Sequence, residues 1–300
     1  MNNLSLSKII RALRLPFTTA SALPFIAGSF IFKEIFEFVP FSLGLMTAVL
    51  THLGANLIND YADSKYGTDW QDRNFYNFFG GSKLIQEGSL PLNFYLYLAV
   101  AFFAISFLSI LTLAFLFKNV SIIGYYILIM FLGFSYSHKP LALSYRRMGE
   151  VIIFLLFGPA VLMGGYFIQT HIFPDLRSFM LSLPFGLFTT AILFSNEIPD
   201  RQTDMKSNKF TWASVVSSSR GFIIYLVIIL LGYLSIILNI IMGYLSWVSC
   251  FALIFLILSL KAANILKRYH DDKLMLVNSS KLTIAVQSLV GLVIILDLLL

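Results

Sequence analysis

Apolar segments long enough to cross a lipid bilayer follow one another along the whole chain, and they constrain the fold more than any motif. A spanning helix needs about 20 mostly apolar residues. Of the 300 residues, 58% are hydrophobic and 12% are charged, whereas a soluble domain has roughly a quarter charged residues. So little polar surface cannot cover a water-soluble protein. The chain is therefore predicted to be an all-α polytopic membrane protein.

Nine spans are predicted, and they form one domain over residues 1–300. Their ranges are 15–33, 38–58, 92–117, 119–136, 148–169, 177–196, 221–240, 242–262 and 281–300. The net charge of +6 fits basic residues flanking cytoplasmic helix ends, so no nucleic-acid partner is inferred. Cys250 is the only cysteine, which leaves no disulfide framework and no cysteine metal site.

The connections between the predicted spans alternate in charge. All but three of the 21 Lys and Arg residues fall on the side that holds the N-terminus and residues 59–91, 137–147, 197–220 and 261–281. Positively charged loops stay in the cytoplasm. We therefore expect a cytoplasmic N-terminus, an outside C-terminus and a multi-pass protein of the cell membrane, the inner membrane in a bacterium.

Two acidic motifs follow the second and sixth predicted spans, on the cytoplasmic side. Four of the 15 acidic residues lie within 60–72 and three within 197–204. The first motif reads Asn59-x3-Asp63 and continues to Asp69, and the second reads Asn196-x3-Asp200-x3-Asp204. A spacing of four places side chains on one helix face. The recurrence is compatible with an internal duplication.

Ionisable residues at membrane depth are costly and are candidates for function. Facing carboxylates repel unless a cation lies between them, and Mg²⁺ prefers oxygen ligands, completed by water and substrate phosphates. The two motifs thus indicate a diphosphate bridged to the protein by Mg²⁺. For a single Asp, a solvated loop acid is the simpler interpretation, but the repeated motif favours the metal. Asn56 and Asp60 share a helical face as well and are second-rank candidates.

A diphosphate leaving group also needs cations. Lys139, Arg146 and Lys209 are the leading candidates, with Lys65, Arg73, Lys83, Arg147, Arg201 and Lys206 as further ones. An equally good role for most of them is membrane anchoring. Gly80 and Gly81, in "FGGSKLIQEGSLP", are expected either to approach a ligand closely or to form a turn. Glu150 is expected to be a structural charge at a helix N-terminus, and His52 a hydrogen-bonded helix residue.

In these segments the chain resembles the UbiA-type superfamily of intramembrane prenyltransferases, over nearly its whole length. "LRLPFTTASALPFIAGS" is similar to the first helix of that superfamily, and "YSHKPLALSYRRMGEVIIFLLFGP" to its central loop and fifth helix. "NDYADSKYGTD" and "NEIPDRQTDMKSNKFT" resemble its two aspartate-rich motifs. The resemblance implies nine helices around a central cavity open to the lipid, and an active site that faces the cytoplasm.

The resemblance also implies the site residues and the reaction. Mg²⁺ would be held by Asn59, Asp63, Asp69, Asn196, Asp200 and Asp204. Asp63, Asp200, Lys139 and Arg146 are the predicted catalytic residues, and Asn59, Asn196, Lys209, Arg73, Lys83 and Tyr136 the predicted diphosphate ligands. The expected reaction transfers an isoprenyl chain from a polyprenyl diphosphate to an aromatic acceptor.

The form of the first motif points to one branch of the superfamily. Gly67-x-Asp69 and "GGSKLIQEG" look most like the 1,4-dihydroxy-2-naphthoate prenyltransferases of menaquinone biosynthesis. In the ubiquinone branch a carboxylate usually stands where this chain has Gly67. Other acceptors remain alternatives: 4-hydroxybenzoate, homogentisate, chlorophyllide or glycerol phosphate. The central loop departs from some members, because Lys139 comes three rather than four residues after Tyr136.

Three other kinds of protein would also place acids among apolar helices. An ion-coupled transporter is disfavoured because its acids are expected near mid-membrane on broken helices. An alcohol phosphatidyltransferase would carry a DG…AR signature, but Tyr61 and Ser64 follow Asp60 and Asp63. A catalytically silent homologue would be expected to lose its acids. The sequence leaves open the length of the prenyl donor and the oligomeric state.

Overall fold

The computed structural model describes residues 5–300, and throughout this range the regular elements are helices. The α-helices are α1 Leu6–Leu13, α2 Thr19–Ser29, α3 Phe38–Tyr66, α4 Leu92–Phe117, α5 Ser121–Ser137, α6 Gly149–Leu155, α7 Val161–Thr170, α8 Leu176–Lys206, α9 Trp212–Val215, α10 Gly221–Ile241, α11 Leu256–Arg268 and α12 Lys273–Leu299. A π-helical segment, Leu156–Ala160, joins α6 to α7, and a 3₁₀ segment, Trp247–Phe255, precedes α11. The predicted all-α class is confirmed.

Seven helical segments are long and apolar enough to cross a membrane. They are Phe38–Tyr66, Leu92–Phe117, Gly149–Thr170, Leu176–Lys206, Ser218–Ile241, Trp247–Arg268 and Lys273–Leu299. The prediction of a multi-span protein is therefore confirmed. The other two predicted spans correspond to α5, with 17 residues, and α2, with 11 residues. The count of nine spans and the orientation of the termini stay predictions.

Several helix ends differ from the predicted ones. Helices α3 and α8 continue through the acidic motifs to Tyr66 and Lys206, where apolar periodicity alone ended them at 58 and 196. Helix α12 begins at Lys273 rather than at 281, because Asp272 accepts hydrogen bonds from the first free backbone N–H groups. Before α2, the left-handed Arg14 and a 3₁₀ turn interrupt the predicted first span.

Glycines allow α2 and α7 to pack closely against each other. A Cβ added at Gly28 of α2 would lie 2.0 Å from the Leu162 carbonyl oxygen of α7. A Cβ at Gly165 of α7 would lie 2.4 Å from the Phe25 carbonyl oxygen of α2. Small residues let membrane helices approach to backbone contact in this way. These contacts hold α2 against α7, and the polar ends of α3 and α8 line a common cavity.

Candidate active site

Both acidic motifs line one cavity between α3 and α8. The cavity has a volume of about 240 Å³. Its lining includes all six predicted metal ligands, which are Asn59, Asp63, Asp69, Asn196, Asp200 and Asp204. The two Asn-x3-Asp motifs are 137 positions apart in the chain, so the fold brings them together. The two motifs were expected to lie close together, and in the structure they line the same cavity.

The first motif reaches the cavity from the last turns of α3 and from the turn that follows it. Asp63 is buried, and its Oδ1 accepts a hydrogen bond of 2.7 Å from the Tyr145 hydroxyl. Asn59 donates through Nδ2 to Ser137 Oγ at 3.0 Å, which orients its amide. Gly67 ends α3 in the left-handed conformation, with φ of 88°. The chain then turns back, and buried Asp69 faces the cavity.

The second motif lies on the last three turns of α8. Asn196 donates through Nδ2 to the Phe78 carbonyl oxygen at 3.1 Å. Its Oδ1 is buried and has no hydrogen-bond partner among residues 5–300. A buried amide oxygen without a donor is unfavourable unless a ligand satisfies it. Asp200 is half-buried and Asp204 is buried, and both line the same cavity.

Two lysines hold the carboxylates together. Lys209 Nζ lies 3.6 Å from Asp63 Oδ2 and 3.6 Å from Asp204 Oδ1, so it joins the two motifs. Lys83 Nζ lies 2.9 Å from Asp69 Oδ1 and donates to the Asp69 carbonyl oxygen at 3.0 Å. Burial raises the pKa of the Asp69 carboxyl to about 7, although Lys83 opposes that shift. The carboxylates outweigh burial at Lys209 and hold its pKa well above the usual range.

Backbone hydrogen bonds place Lys209 and Tyr145 at the cavity. The Arg147 N–H donates to the Phe210 carbonyl oxygen at 2.8 Å, and the Phe210 N–H donates to the Tyr145 carbonyl oxygen at 3.1 Å. These bonds tie the loop before α6 to the segment after α8. Glu150 strengthens the joint, because its Oε1 accepts from the Trp212 N–H at 2.6 Å. The structural role expected for Glu150 agrees with this contact.

The glycine pair lies inside the site rather than at a remote turn. Gly80 and Gly81 have φ values of 73° and 82°, in the region that favours glycine. A Cβ at Gly81 would lie 2.9 Å from Asp69 Oδ2, and one at Gly80 would lie 3.6 Å from Asp200 Oδ1. The loop therefore passes between the two motifs. Both glycines approach carboxylates of the site, and close approach to a ligand stays a prediction.

Three predicted basic ligands point away from the cavity. Lys139 is exposed, and its Nζ lies 4.9 Å from the centre of the Tyr66 ring. Arg146 is exposed and donates to the Pro140 carbonyl oxygen at 2.8 Å. Arg73 is exposed over the Trp70 ring. Lys139 and Arg146 were expected near the phosphate because they lie in a short loop. In the structure all three side chains contact nearer aromatic or carbonyl partners, and none of them lines the cavity.

The remaining predicted residues divide between the cavity and its support. Tyr136 and Asn56 line the cavity. Asp60 does not: it is buried in an ion pair with Arg14 and accepts from the Ser82 N–H at 3.0 Å. Asp60 therefore holds the glycine loop against α3. His52 is hydrogen-bonded as expected, with its Nδ1 3.0 Å from Ser21 Oγ, and it also lines the cavity.

Sequence reasoning missed four residues that the structure brings to the site. Arg14 and Asp72 line the cavity, Tyr145 contacts Asp63, and Lys273 Nζ lies 2.8 Å from Asp72 Oδ2 and 3.6 Å from Asp200 Oδ1. Arg14 and Lys273 were counted only as cytoplasmic anchoring charges. Asp72 could have been selected as a site residue, because it belongs to the acidic stretch 60–72. No feature of the sequence distinguishes Tyr145 from the other tyrosines.

The residues present fit a magnesium ion that arrives with a diphosphate. The donors facing the cavity are carboxylate and amide oxygens, and Asn196 Oδ1 lacks a partner. Within residues 5–300, however, no three acidic, His or Cys side chains lie close enough to hold a metal by themselves. Mg²⁺ commonly binds through one or two carboxylates and completes its octahedral shell with water and substrate phosphates. The protein supplies only part of the oxygen ligands, which suits a Mg²⁺ ion whose remaining ligands are water and phosphate oxygens.

Fold and cavity together define a polytopic helical membrane protein with an acid-lined cavity at one end of its helices. Comparison with known families assigns it further. A family model described as "UbiA prenyltransferase family" matches residues 21–278. The chain belongs to the UbiA prenyltransferase family, which confirms the resemblance of the motifs and the expected class of enzyme.

Two curated relatives are each 28% identical to this chain over the aligned residues. The UbiA prenyltransferase domain-containing protein 1 of Dictyostelium discoideum is 28% identical over 230 residues, which is 75% of this chain and 69% of that protein. The 1,4-dihydroxy-2-naphthoate octaprenyltransferase of Bacillus subtilis (strain 168) is 28% identical over 213 residues, which is 70% of this chain and 66% of that protein. The matches thus span about two thirds of these relatives.

Solved structures of the same fold cover nearly all of the chain. The apo UbiA homologue from Aeropyrum pernix K1 has a TM-score of 0.71 at 16% identity, covering 93% of this chain and 97% of that one. The UbiA homologue from Archaeoglobus fulgidus bound to GPP and Mg²⁺ has a TM-score of 0.55 at 16% identity, covering 96% and 99%. At such identities the likeness shows a shared fold.

Proposed function

We propose that this protein transfers an isoprenyl chain from a polyprenyl diphosphate to an aromatic acceptor, 1,4-dihydroxy-2-naphthoate, in a reaction that depends on Mg²⁺. The observation that carries the proposal is the meeting of the two acidic motifs in one cavity, joined by Lys209. The homologue bound to GPP and Mg²⁺ supports the choice of metal and donor. The proposed metal ligands come from the six oxygen donors of the two motifs, and oxygens of the diphosphate complete the shell.

Lys209, Lys83 and the two motifs bind the diphosphate end of the donor in this proposal. The C–O bond between the first prenyl carbon and the diphosphate breaks, and its electron pair leaves with the diphosphate. Lys209 stabilises the charge that develops on the leaving oxygens, since it is already fixed by two carboxylates. Mg²⁺ held by the acidic motifs would supply further neutralisation of the negative charge on the diphosphate.

The allylic cation that remains is protected from water inside the cavity. Aromatic side chains line the wall, among them Phe17, Phe157 and Tyr136. Aromatic faces attract cations. The electron-rich ring of the acceptor forms the new C–C bond with the allylic carbon and then loses CO₂ or a proton. The chain's own contribution is binding, orientation and exclusion of water.

The acceptor is the finer part of the proposal. Support comes from the Gly67-x-Asp69 form of the first motif and from relatives named 1,4-dihydroxy-2-naphthoate octaprenyltransferase in Bacillus subtilis and Haemophilus influenzae. A second candidate acceptor is a glycerol phosphate, because a digeranylgeranylglyceryl phosphate synthase has the same fold with a TM-score of 0.64 at 17% identity. Membership in a prenyltransferase family argues against the ion-coupled transporter.

We further propose nine membrane-crossing helices, with α2 and α5 as short spans, in one domain. The charge asymmetry supports a cytoplasmic N-terminus, an outside C-terminus and an active site that opens to the cytoplasm of a cell membrane, the inner membrane in a bacterium. In this orientation the diphosphate end of the donor and the acceptor reach the acidic motifs from the cytoplasm, while the prenyl chain extends into the membrane.

An acceptor panel tests the proposal. Purified protein in liposomes receives geranylgeranyl diphosphate, Mg²⁺ and, in separate reactions, dihydroxynaphthoate, 4-hydroxybenzoate, homogentisate and glycerol phosphate. Mass spectrometry is expected to find a prenylated naphthalenediol that has lost CO₂. Exclusive formation of another product would overturn the acceptor, and absence of transfer to any of them would overturn the function.

A further inference from the structure

A second layer of polar side chains lines the acidic cavity, further along the membrane helices than the two motifs. It consists of His52 and Asn56 of α3 and Thr189 of α8. His52 and Thr189 are more than nine-tenths buried. Polar groups buried among apolar membrane helices are costly and are candidates for function. None of the three is among the six proposed metal ligands, so the metal does not account for them.

The layer has the same register on both helices. His52 precedes Asn59 by seven residues, and Thr189 precedes Asn196 by seven. At about 1.5 Å per residue, each lies roughly 10 Å along its helix from the motif asparagine. Asn56 lies between the two levels, roughly 4.5 Å from Asn59. A ring placed next to the motifs would therefore meet Asn56 first, and His52 and Thr189 beyond it.

The helix break between α6 and α7 contacts both sides of this layer. The His52 ring packs edge-on against the Phe157 ring, with the ring centroids 4.6 Å apart. The next residue, Gly158, is in backbone contact with α8, since a Cβ added there would lie 2.9 Å from Gly186 Cα. Gly186 is less than one helical turn from Thr189. The break thus reaches α3 at His52 and α8 near Thr189, at one level of the cavity.

Hydrogen bonds determine which nitrogen of His52 carries the proton. The Ser21 hydroxyl donates its hydrogen to the Thr18 carbonyl oxygen at 3.1 Å. His52 Nδ1 lies 3.0 Å from the same hydroxyl oxygen, which has no second hydrogen to give and therefore accepts from Nδ1. In the neutral ring, Nε2 then keeps its lone pair. His52 consequently offers a hydrogen-bond acceptor to a ligand.

Asn56 and Thr189 add hydrogen-bond donors to the layer. Within residues 5–300 neither Asn56 Nδ2 nor Thr189 Oγ1 has a hydrogen-bond partner, although both atoms are buried. A buried donor without a partner is unfavourable unless a ligand satisfies it. The layer therefore combines an acceptor at His52 with donors at Asn56 and Thr189. Hydroxyl groups both donate and accept, so they fit all three residues.

The layer is uncharged, and this selects among aromatic ligands. Each basic residue on the cavity wall is paired with a carboxylate in or near the motifs. The pairs are Arg14 with Asp60, Lys83 with Asp69, and Lys209 with Asp63 and Asp204. A carboxylate held at the level of His52 would lie away from these cations, and burying an unpaired charge is costly. Neutral hydroxyls suit this level better.

We propose that Asn56, His52 and Thr189 form the subsite for the aromatic acceptor and select a ring with two hydroxyls in para positions. The proposal rests on the prenyl-transfer function proposed above. The hydroxyl next to the attacked carbon accepts from Asn56 Nδ2. The opposite hydroxyl donates to His52 Nε2 and accepts from Thr189. Ordinary bond lengths place para oxygens about 5.5 Å apart, close to the roughly 6 Å between Asn56 and His52 along α3.

Removing the partners of the far hydroxyl tests the proposal. The unchanged protein, His52→Leu and Thr189→Val receive geranylgeranyl diphosphate and either 1,4-dihydroxy-2-naphthoate or 1-hydroxy-2-naphthoate, which lacks that hydroxyl. Each variant should lower kcat/KM for the dihydroxy acceptor at least about tenfold. For the monohydroxy acceptor, kcat/KM, or its inhibition constant as a competitor, should change less than about threefold. The KM for the donor should stay within about twofold, because the diphosphate site is intact.

Comparing the two acceptors in each protein separates binding from reactivity. The monohydroxy ring is the weaker nucleophile, but this difference is the same for every variant and cancels in the ratio of ratios. Thr189→Val keeps the side-chain volume, so it decides the question if His52→Leu does not fold. Thr189→Ser retains the hydroxyl and should retain the preference for the dihydroxy acceptor.

A matched control lies beside Thr189 on α8. Thr190 is also buried, but its hydroxyl donates to the Gly186 carbonyl oxygen at 2.8 Å, and it does not line the cavity. Thr190→Val removes the same kind of group away from the acceptor. It should leave the ratio between the two acceptors unchanged.

The outcomes are distinguishable. Equal changes for both acceptors in Thr189→Val, or no change for either, overturn this inference but leave the prenyl-transfer function standing. A shift in the ratio for Thr190→Val as large as that for Thr189→Val overturns it too. Absence of transfer to every acceptor by the unchanged protein instead overturns the function on which the inference rests.

Discussion

Lys209 Nζ lies 3.6 Å from Asp63 Oδ2, so a lysine that follows the second acidic motif contacts a carboxylate of the first. The contact joins parts of the chain that are far apart in sequence. It also places a half-buried cation at the cavity, where the leaving diphosphate would develop charge.

Replacing Lys209 should reduce catalysis far more than it reduces binding of the prenyl chain. We expect Lys209→Met to lower kcat by on the order of a hundredfold or more, the usual effect of removing a group that stabilises developing charge. Steady-state kinetics with geranylgeranyl diphosphate measures this. Lys206→Met is the control, because Lys206 is exposed and three residues away. Equal losses in both variants would contradict the assigned role.

Gly81 should tolerate no side chain, because a Cβ there would lie 2.9 Å from Asp69 Oδ2. Gly81→Ala is expected to lower kcat/KM at least tenfold by displacing Asp69. Gly88→Ala is a matched control: its φ of 66° is also positive, but no atom lies within 4 Å of the added Cβ. Both variants carry a similar backbone strain of about 1 kcal/mol. Comparable activity in the two would show that Asp69 was not displaced.

Asp60 should matter for stability more than for chemistry. Removing it leaves Arg14 without its partner and the Ser82 N–H without its acceptor. Breaking a buried ion pair costs about 3–5 kcal/mol. We expect Asp60→Ala to lower the thermal unfolding midpoint in detergent by several degrees, while Asp271→Ala, at an exposed position, changes it little. An unchanged midpoint for Asp60→Ala would contradict the structural role.

Mg²⁺ and diphosphate should bind together. Because no ready-made cluster of metal ligands exists within residues 5–300, the substrate phosphates are expected to complete the shell. Inorganic diphosphate with Mg²⁺ should raise the unfolding midpoint, whereas Mg²⁺ alone at the same concentration should raise it little. Chelation with EDTA should abolish both the shift and turnover. A full shift with Mg²⁺ alone would indicate a preformed metal site.

Much of the site could be predicted because its residues are polar and evenly spaced within apolar surroundings. Asn59, Asp63, Asn196, Asp200 and Asp204 stand out for that reason, and the structure places all five at one cavity. The same reasoning ended α3 and α8 too early. Apolar periodicity stops where the motif begins, although the backbone continues as helix to Tyr66 and Lys206.

Contacts between distant loops could not be predicted in this way. Nothing local distinguishes Lys273, whose partners Asp72 and Asp200 come from two other parts of the chain. Lys139 and Arg146 had the right charge in a short loop, but side-chain direction depends on nearby partners that only the fold supplies. The sequence therefore indicates that basic residues are needed near the acidic motifs. Only the tertiary structure shows which lysines and arginines lie there.

The central claim is that the two acidic motifs serve one diphosphate site, and a double-mutant cycle tests it most directly. Residues that act as a unit show non-additive losses. We measure kcat/KM for Asp63→Asn, Asp200→Asn and the double variant, with Asp271→Asn as the exposed control. The account predicts severe losses in both single variants and no substantially larger loss in the double variant. Losses that multiply in the double variant, or full activity in either single variant, would contradict it.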